Sequence, residues 1–258
     1  MIIGKSKKEL DKMRASGRLV GLVLQKLREM VRPGITTLEI DREAEKMIRD
    51  AGALPTFKGY NGFPYSICAS VNEQIVHGFP SKYVLQEGDI FSIDCGVTLE
   101  GYVGDTATTV PVGKVDDEKL RLIRVTEECL ERAIQQCRPG NRLGDIGWAV
   151  QEHAEANGYS VVRDYVGHGI GRKMHEDPQI PNYGRPGLGD KIKSGYVFAV
   201  EPMVNQGSHF TKVLKDGWTV VTVDGKPSAH AEHTIAITEE GPEVLTLVTS
   251  AQPAGVTL

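Results

Sequence analysis

The chain has no apolar run approaching the length of a membrane span. Its first residues, Met1-Ile2-Ile3-Gly4-Lys5-Ser6-Lys7-Lys8, contain no apolar signal core, so a signal peptide is not expected. It has no block of lysine or arginine, and its formal charge is −4. That balance argues against a sequence-specific nucleic-acid partner and leaves only local, weak contact with RNA or a ribosome. Cysteine is sparse: Cys68, Cys95, Cys129 and Cys137 form no C-x-x-C pair. A zinc ribbon and a disulfide scaffold are therefore excluded, and reduced thiols in a cytoplasmic protein are expected.

The 258 residues suffice for a substantial core. With 40% apolar and 25% charged residues the composition is that of a globular enzyme. Four carboxylates and one histidine stand where solvated polar residues are not expected. Asp94 ends the strand-like run Ile90-Phe91-Ser92-Ile93, and Asp105 opens the β-rich run from Thr106 to Val112. Glu201 ends Tyr196-Val197-Phe198-Ala199-Val200, and Glu232 begins Glu232-His233-Thr234-Ile235-Ala236-Ile237. His168 lies in the glycine-rich stretch Val166-Gly167-His168-Gly169-Ile170-Gly171, read as a loop with a sharp turn. No lysine or arginine is embedded in these runs to meet the buried charge. Two divalent cations would balance four carboxylates, so a dinuclear metal site is the simplest account.

The chain also repeats itself. Ser6-x-x-Glu9 and Thr36-x-x-Glu39 are capping-box patterns that start two helices, separated by Arg32-Pro33-Gly34. About 106 residues later a helix from about Asp116 to Cys137 ends in Arg138-Pro139-Gly140, and another runs to Asn157-Gly158. The stretch Gly88-Asp89-Ile90-Phe91-Ser92-Ile93-Asp94 is echoed by Gly195-Tyr196-Val197-Phe198-Ala199-Val200-Glu201. Two similar α/β halves are expected, about 1–112 and 113–258, within a single catalytic domain. A pseudo-twofold axis would bring the acidic strand ends to one central site.

If the strands carrying Asp94 and Asp105 form a hairpin, their carboxylates can meet across it. Two metals about 3.5–4 Å apart with a shared water are the usual hydrolytic pair. An oxygen-rich shell with one imidazole suits Mn(II), Fe(II) or Co(II), and zinc also fits. His77 and His175 each precede a turn-like segment, where functional residues often sit, but the local sequence alone favours a surface histidine. His233 takes the strand face opposite Glu232 and is read as a non-ligand.

Together these stretches resemble the type I, bacterial-type methionine aminopeptidases along nearly the whole chain. The matching segments are Val71-Asn72-Glu73, His77-Gly78, Ile93-Asp94, Gly104-Asp105-Thr106, Gly167-His168-Gly169-Ile170-Gly171, His175-Glu176, Glu201-Pro202-Met203, Asp216-Gly217-Trp218-Thr219 and Glu232-His233-Thr234. The resemblance implies the pita-bread fold, a duplicated α/β architecture around a curved antiparallel sheet. It implies metal binding by Asp94, Asp105, His168, Glu201 and Glu232, with Asp105 and Glu232 bridging both ions. A metal-activated water would attack the carbonyl carbon of the N-terminal methionine. Glu201 would move its proton to the leaving amine, and His175 would donate to the oxygen gaining charge, worth about 3 kcal/mol in comparable donors. His77 would contact the scissile amide, and the free α-amino group would bind the metals. Tyr60, Phe63, Cys68 and Trp218 would form the methionine pocket with Met174 nearby. Met174 stands where an aromatic residue is common, and Phe57 where a smaller one is often found. Asn72 and Ser228 match positions near a monovalent cation.

The resemblance further implies deformylated nascent chain N-termini as substrates, a small second residue, transient ribosome contact and a monomer. Since Ile2 is bulky, the chain is expected to keep its own Met1. X-Pro aminopeptidases and prolidases share the fold and ligands but usually carry an added N-terminal domain, for which a first repeat starting near Ser6 leaves no room. The type II methionine enzymes carry an insertion between His168 and Glu232 that is not seen here, and non-catalytic relatives lose metal ligands.

Overall fold

A computed structural model describes residues 2–248; the expectation about Met1 concerns a residue outside that range. Four α-helices form where the capping patterns and their repeat about 106 residues later place them: α1 (Lys7–Met30), α2 (Thr37–Asp50), α3 (Asp117–Gln136) and α4 (Leu143–Ala156). Glu9 accepts the Ser6 N–H at 2.9 Å and Glu39 accepts the Thr36 N–H at 2.8 Å, which satisfies backbone donors before the first turns. Asp116 and Asp145 do the same work in the second half, accepting the N–H of Lys119 and of Arg142.

The strands in chain order are β1 (Leu54–Pro55), β2 (Ile67–Val71), β3 (Gln74–Val76), β4 (Ile90–Leu99), β5 (Tyr102–Pro111), β6 (Ser160–Val161), β7 (Gly167–Gly169) and β8 (Glu176–Ile180). They continue with β9 (Val197–Val200), β10 (Met203–Asn205), β11 (Thr211–Val213), β12 (Val220–Thr222), β13 (Ser228–His230), β14 (Glu232–Ile237) and β15 (Pro242–Val244). The main sheet runs β1-β4-β5-β14-β9-β7-β8, with β2 also on β4 and β15 also on β14. Every pairing in it is antiparallel.

The duplication appears as sheet order. β4-β5 from the first half meets β14-β9 from the second, so β5 and β14 are central neighbours and Glu232 pairs with Ala107. Asp94 on β4 and Glu201 after β9 are then equivalent, as are Asp105 and Glu232. Side chains alternate across each strand. Phe91, Ile93, Cys95 and Val97 pack against α1 and α2 in one core. Phe198, Val200, Ile235 and Ile237 pack with α3 and α4 in another. The carboxylates take the opposite face.

Two sequence expectations are corrected here. Asp94 and Asp105 are interior to their strands, not at the ends. The reason is a two-residue turn: Glu100 (φ 48°) and Gly101 (φ 77°) both have positive φ and reverse the chain so that Leu99 pairs with Tyr102. Ladder pairing therefore extends past both aspartates. His168 is in a strand, not a loop turn: β7 pairs with β9 and β8 with an irregularity after His168. Its flanking glycines permit close approach, since a Cβ at Gly167 would lie 2.5 Å from the Ala199 carbonyl oxygen.

Candidate active site

The register sets the carboxylates on one surface. Asp94 pairs with Ala107 and Gly96 with Asp105, so the two aspartates are diagonal neighbours on the same face. Glu232 lies across from Ala107 and joins them. His168 pairs with Ala199, two residues before Glu201 on the next strand. His168 Nε2 lies 3.5 Å from Glu201 Oε1 and 4.0 Å from Asp105 Oδ2. One donor atom each from Asp105, His168 and Glu232 fall within 4.8 Å of one another. Nδ1 of His168 is 2.9 Å from the Gly169 carbonyl, so it carries the proton and leaves Nε2 free toward the cluster.

When ionised, the cluster has no cationic side chain beside it to neutralise its charge. Burial raises the Asp94 carboxyl to about 7 and lifts Asp105, Glu201 and Glu232 well above the usual carboxylate range, helped for the last three by their acidic neighbours. Burial lowers His168 to about 3 and His77 to about 4, with His175 adding to both. Asp94 Oδ1, Asp105 Oδ1 and Glu232 Oε1 are buried without a hydrogen-bond partner among the described residues. Neither lysine nor arginine lines the cavity. Orphaned oxygens, like charges and a presented imidazole nitrogen are what a divalent cation satisfies, and the donor set fits such ions.

The cavity, about 210 Å³, gathers the candidate residues from both halves. Asp94, Asp105, His168, Glu201 and Glu232 form its base; His77, His175, Tyr60, Phe63, Cys68 and Trp218 line the rest, with Phe57 and Met174. Phe63 meets Trp218 edge-on at 5.1 Å between ring centres. Cys68 pairs with Asp94 across β2 and β4, and burial keeps its thiol protonated. The Tyr60 hydroxyl is 2.8 Å from His175 Nδ1, and the His175 ring sits 4.3 Å from that of His168. His77 has φ 59°, a left-handed backbone uncommon outside glycine, and stands edge-on to Tyr165 and Trp218.

Asn72 and Ser228 meet away from this cavity: the Ser228 N–H donates to the Asn72 carbonyl at 2.9 Å. His233 faces away from the carboxylates and pairs through Nδ1 with Thr246 Oγ1 at 2.8 Å. Sequence reasoning assigns His230 no role. It is buried, and its Nε2, 3.8 Å from Glu201 Oε2, has no hydrogen-bond partner among the described residues. Its place two residues before Glu232 was the available signal.

The profile of metallopeptidase family M24 matches residues 11–239. A methionine aminopeptidase of Clostridium perfringens is 57% identical over 248 residues, covering 96% of this chain and all of that one. The chain belongs to the methionine aminopeptidases of family M24. The crystal structure of the methionine aminopeptidase of Thermotoga maritima superposes with a TM-score of 0.95 at 47% identity, covering 96% of this chain and all of that one. An Xaa-Pro dipeptidase of Bacillus anthracis, with TM-score 0.75 and 22% identity over 95% of this chain and 62% of that one, shares the fold alone. The curved antiparallel sheet with its paired α/β halves is thus the pita-bread fold of methionine aminopeptidases. No helix among the described residues is long and apolar enough to cross a membrane.

Proposed function

We propose that this protein hydrolyses the first peptide bond of deformylated nascent polypeptides, releasing methionine when the second residue is small. The observation that carries the reading is one cavity with a carboxylate–histidine base and walls of Phe57, Phe63, Cys68, Met174 and Trp218, suited to an unbranched thioether side chain.

Asp94, Asp105, His168, Glu201 and Glu232 would hold the metal ions. When bound, two divalent cations supply Lewis acidity and a water nucleophile near neutral pH. The oxygen-rich shell favours Mn(II), Fe(II) or Co(II), and zinc is compatible. Glu201 receives a proton from the attacking water and passes it to the leaving amine nitrogen. His175 accepts the Tyr60 O–H at Nδ1 and donates from Nε2 to the carbonyl oxygen as it gains charge. His77, neutral because of its burial, orients the scissile amide. The aromatic walls seat the methionine side chain and exclude water.

A monovalent cation beside Asn72 and Ser228 fits the oxygens there, since Asn205 Oδ1 is buried without a partner opposite Ser228. Residues 1–258 act as one catalytic domain, because both halves contribute to the sheet and to the cavity lining, and the protein is read as a monomer. The four cysteines are free thiols, which agrees with a cytoplasmic location, and ribosome contact is transient at a net charge of −4.

The test is a peptide assay after chelation and metal add-back, comparing Met-Gly-Met-Met, a Met-Leu peptide and X-Pro peptides. Cleavage of Met-Gly-Met-Met only after add-back is expected. Preferred X-Pro cleavage overturns the substrate, and indifference to chelator overturns the metal requirement.

A further inference from the structure

The segment before α1 reaches the turn that carries His175. Lys5 is only 9% exposed. Its Nζ donates to Glu176 Oε2 at 2.6 Å and to the Ile3 carbonyl at 3.1 Å, and its backbone N–H donates to the Gly195 carbonyl at 2.7 Å. Glu176 follows His175 directly, and its Oε1 accepts the Lys173 N–H at 3.1 Å. Gly171 leaves room for this pair: a Cβ there would clash with Lys5 Cε and lie 2.7 Å from Glu176 Oε1. A second tie holds the start of the same turn. The Val103 N–H donates to the Gly171 carbonyl at 2.8 Å, and Arg172 stacks over Tyr102, 4.7 Å from the ring centre, with Nη2 3.7 Å from Glu9 Oε1.

The 171–176 turn is therefore fixed at both ends by residues outside the cavity, and Met174 and His175 project into it. Inside, the His175 ring has one hydrogen bond, to Tyr60, and a tilted contact with His168. Its aim depends on where the turn sits. A buried lysine is a weak device for stability, because desolvation offsets most of the attraction. It is a strong device for geometry, because it joins segments 171 residues apart through one short bond.

We propose that Lys5, through its ion pair with Glu176, is a positioning residue that fixes the His175 imidazole for the reaction. This rests on the reading that His175 acts on the substrate carbonyl. Because Lys5 acts on another group's placement, its removal lowers kcat and leaves KM nearly untouched.

The experiment measures kcat and KM on Met-Gly-Met-Met with saturating Mn(II) for Lys5→Met, Lys5→Arg, His175→Asn and Lys5→Met combined with His175→Asn. A misplacement on the scale of an ångström costs roughly 10²-fold, the kcat loss expected for Lys5→Met, with KM changed less than about threefold. Lys5→Arg restores the cation and recovers activity above Lys5→Met. In the His175→Asn background Lys5→Met costs less than about twofold, since the two losses share one cause. In the metal-free protein the His175 ring resonances, assigned by their loss in His175→Asn, shift or broaden in Lys5→Met. A folded Lys5→Met with kcat near that of the parent overturns the proposal. So does a full additional loss in the His175→Asn background, an unchanged His175 signal, or a Lys5→Arg no better than Lys5→Met. If His175→Asn keeps its kcat, the reading of His175 falls and the proposal with it; a slow His175→Asn beside an intact Lys5→Met sinks the proposal alone. If Lys5→Met does not fold by circular dichroism, Glu176→Gln replaces it in the same cycle: a kcat loss that vanishes in the His175→Asn background is expected, and a parent-like kcat or a full additional loss overturns the proposal.

Discussion

Phe57 packs its ring into the space that Gly96 leaves by lacking a side chain. A Cβ at Gly96 would lie 2.6 Å from Phe57 Cε1. Gly96 pairs with Asp105 and stands two residues past Asp94 on the cavity face, so the contact joins the aromatic lining of the cavity to the carboxylates. The bulk of Phe57, unexpected at that position from the sequence, is matched by an absent side chain across the strand.

Gly96→Ala should therefore overpack this contact and cost about 1–3 kcal/mol. Urea unfolding would read the loss, and steady-state kinetics a rise in KM for methionyl peptides as Phe57 is pushed into the cavity. Gly96→Ala combined with Phe57→Leu should recover both. A stable Gly96→Ala enzyme with unchanged KM would show that the contact does not shape the pocket.

Removal of metal should abolish activity and make stability depend on pH in a defined direction. Burial raises the Asp94 carboxyl to about 7, and Asp105, Glu201 and Glu232 move the same way. In the metal-free protein the folded state then binds more protons than the unfolded one above the ordinary carboxylate range, about 4. The contribution of these carboxylates to stability is fully present below that range and is lost as pH rises through the folded values, toward and beyond pH 7 for Asp94. Metal affinity should fall with acidification, because cations compete with those protons. Thermal melts of metal-free and Mn(II)-loaded protein between pH 5 and pH 8 would check this. The gap should widen as pH rises; a gap that narrows contradicts the account.

Glu201→Gln keeps shape and removes both a proton carrier and a charge. Loss of a general acid–base group should lower kcat by about 10²–10⁴-fold. The metal-free variant should melt no lower than the parent, since one of four crowded buried carboxylates is gone. Full activity in Glu201→Gln would remove Glu201 from the chemistry.

His77→Gly is expected to separate activity from stability. The φ of 59° costs a histidine more than a glycine. Relief of that strain should offset the lost ring contacts with Tyr165 and Trp218, leaving stability within about 1 kcal/mol. Peptide turnover should fall sharply. Parent-like kcat in the variant would show that the His77 imidazole serves no catalytic purpose.

The sequence by itself determined the helix starts, through Ser6-x-x-Glu9 and Thr36-x-x-Glu39, because capping is local and needs only nearby residues. It also determined that the acidic residues belong together, because the repeat offset places Asp94 and Glu201 in equivalent strands and no embedded cation answers them. The tertiary structure decided what depends on partners far along the chain. The Glu100-Gly101 turn set the register that makes Asp94 and Asp105 diagonal neighbours in mid-strand. The pairing of β7 with β9 turned an apparent loop into the strand that holds His168 3.5 Å from Glu201. Phe57 against Gly96 and Lys5 on Glu176 had no local signal, because each contact exists only after segments far apart in the chain pack together.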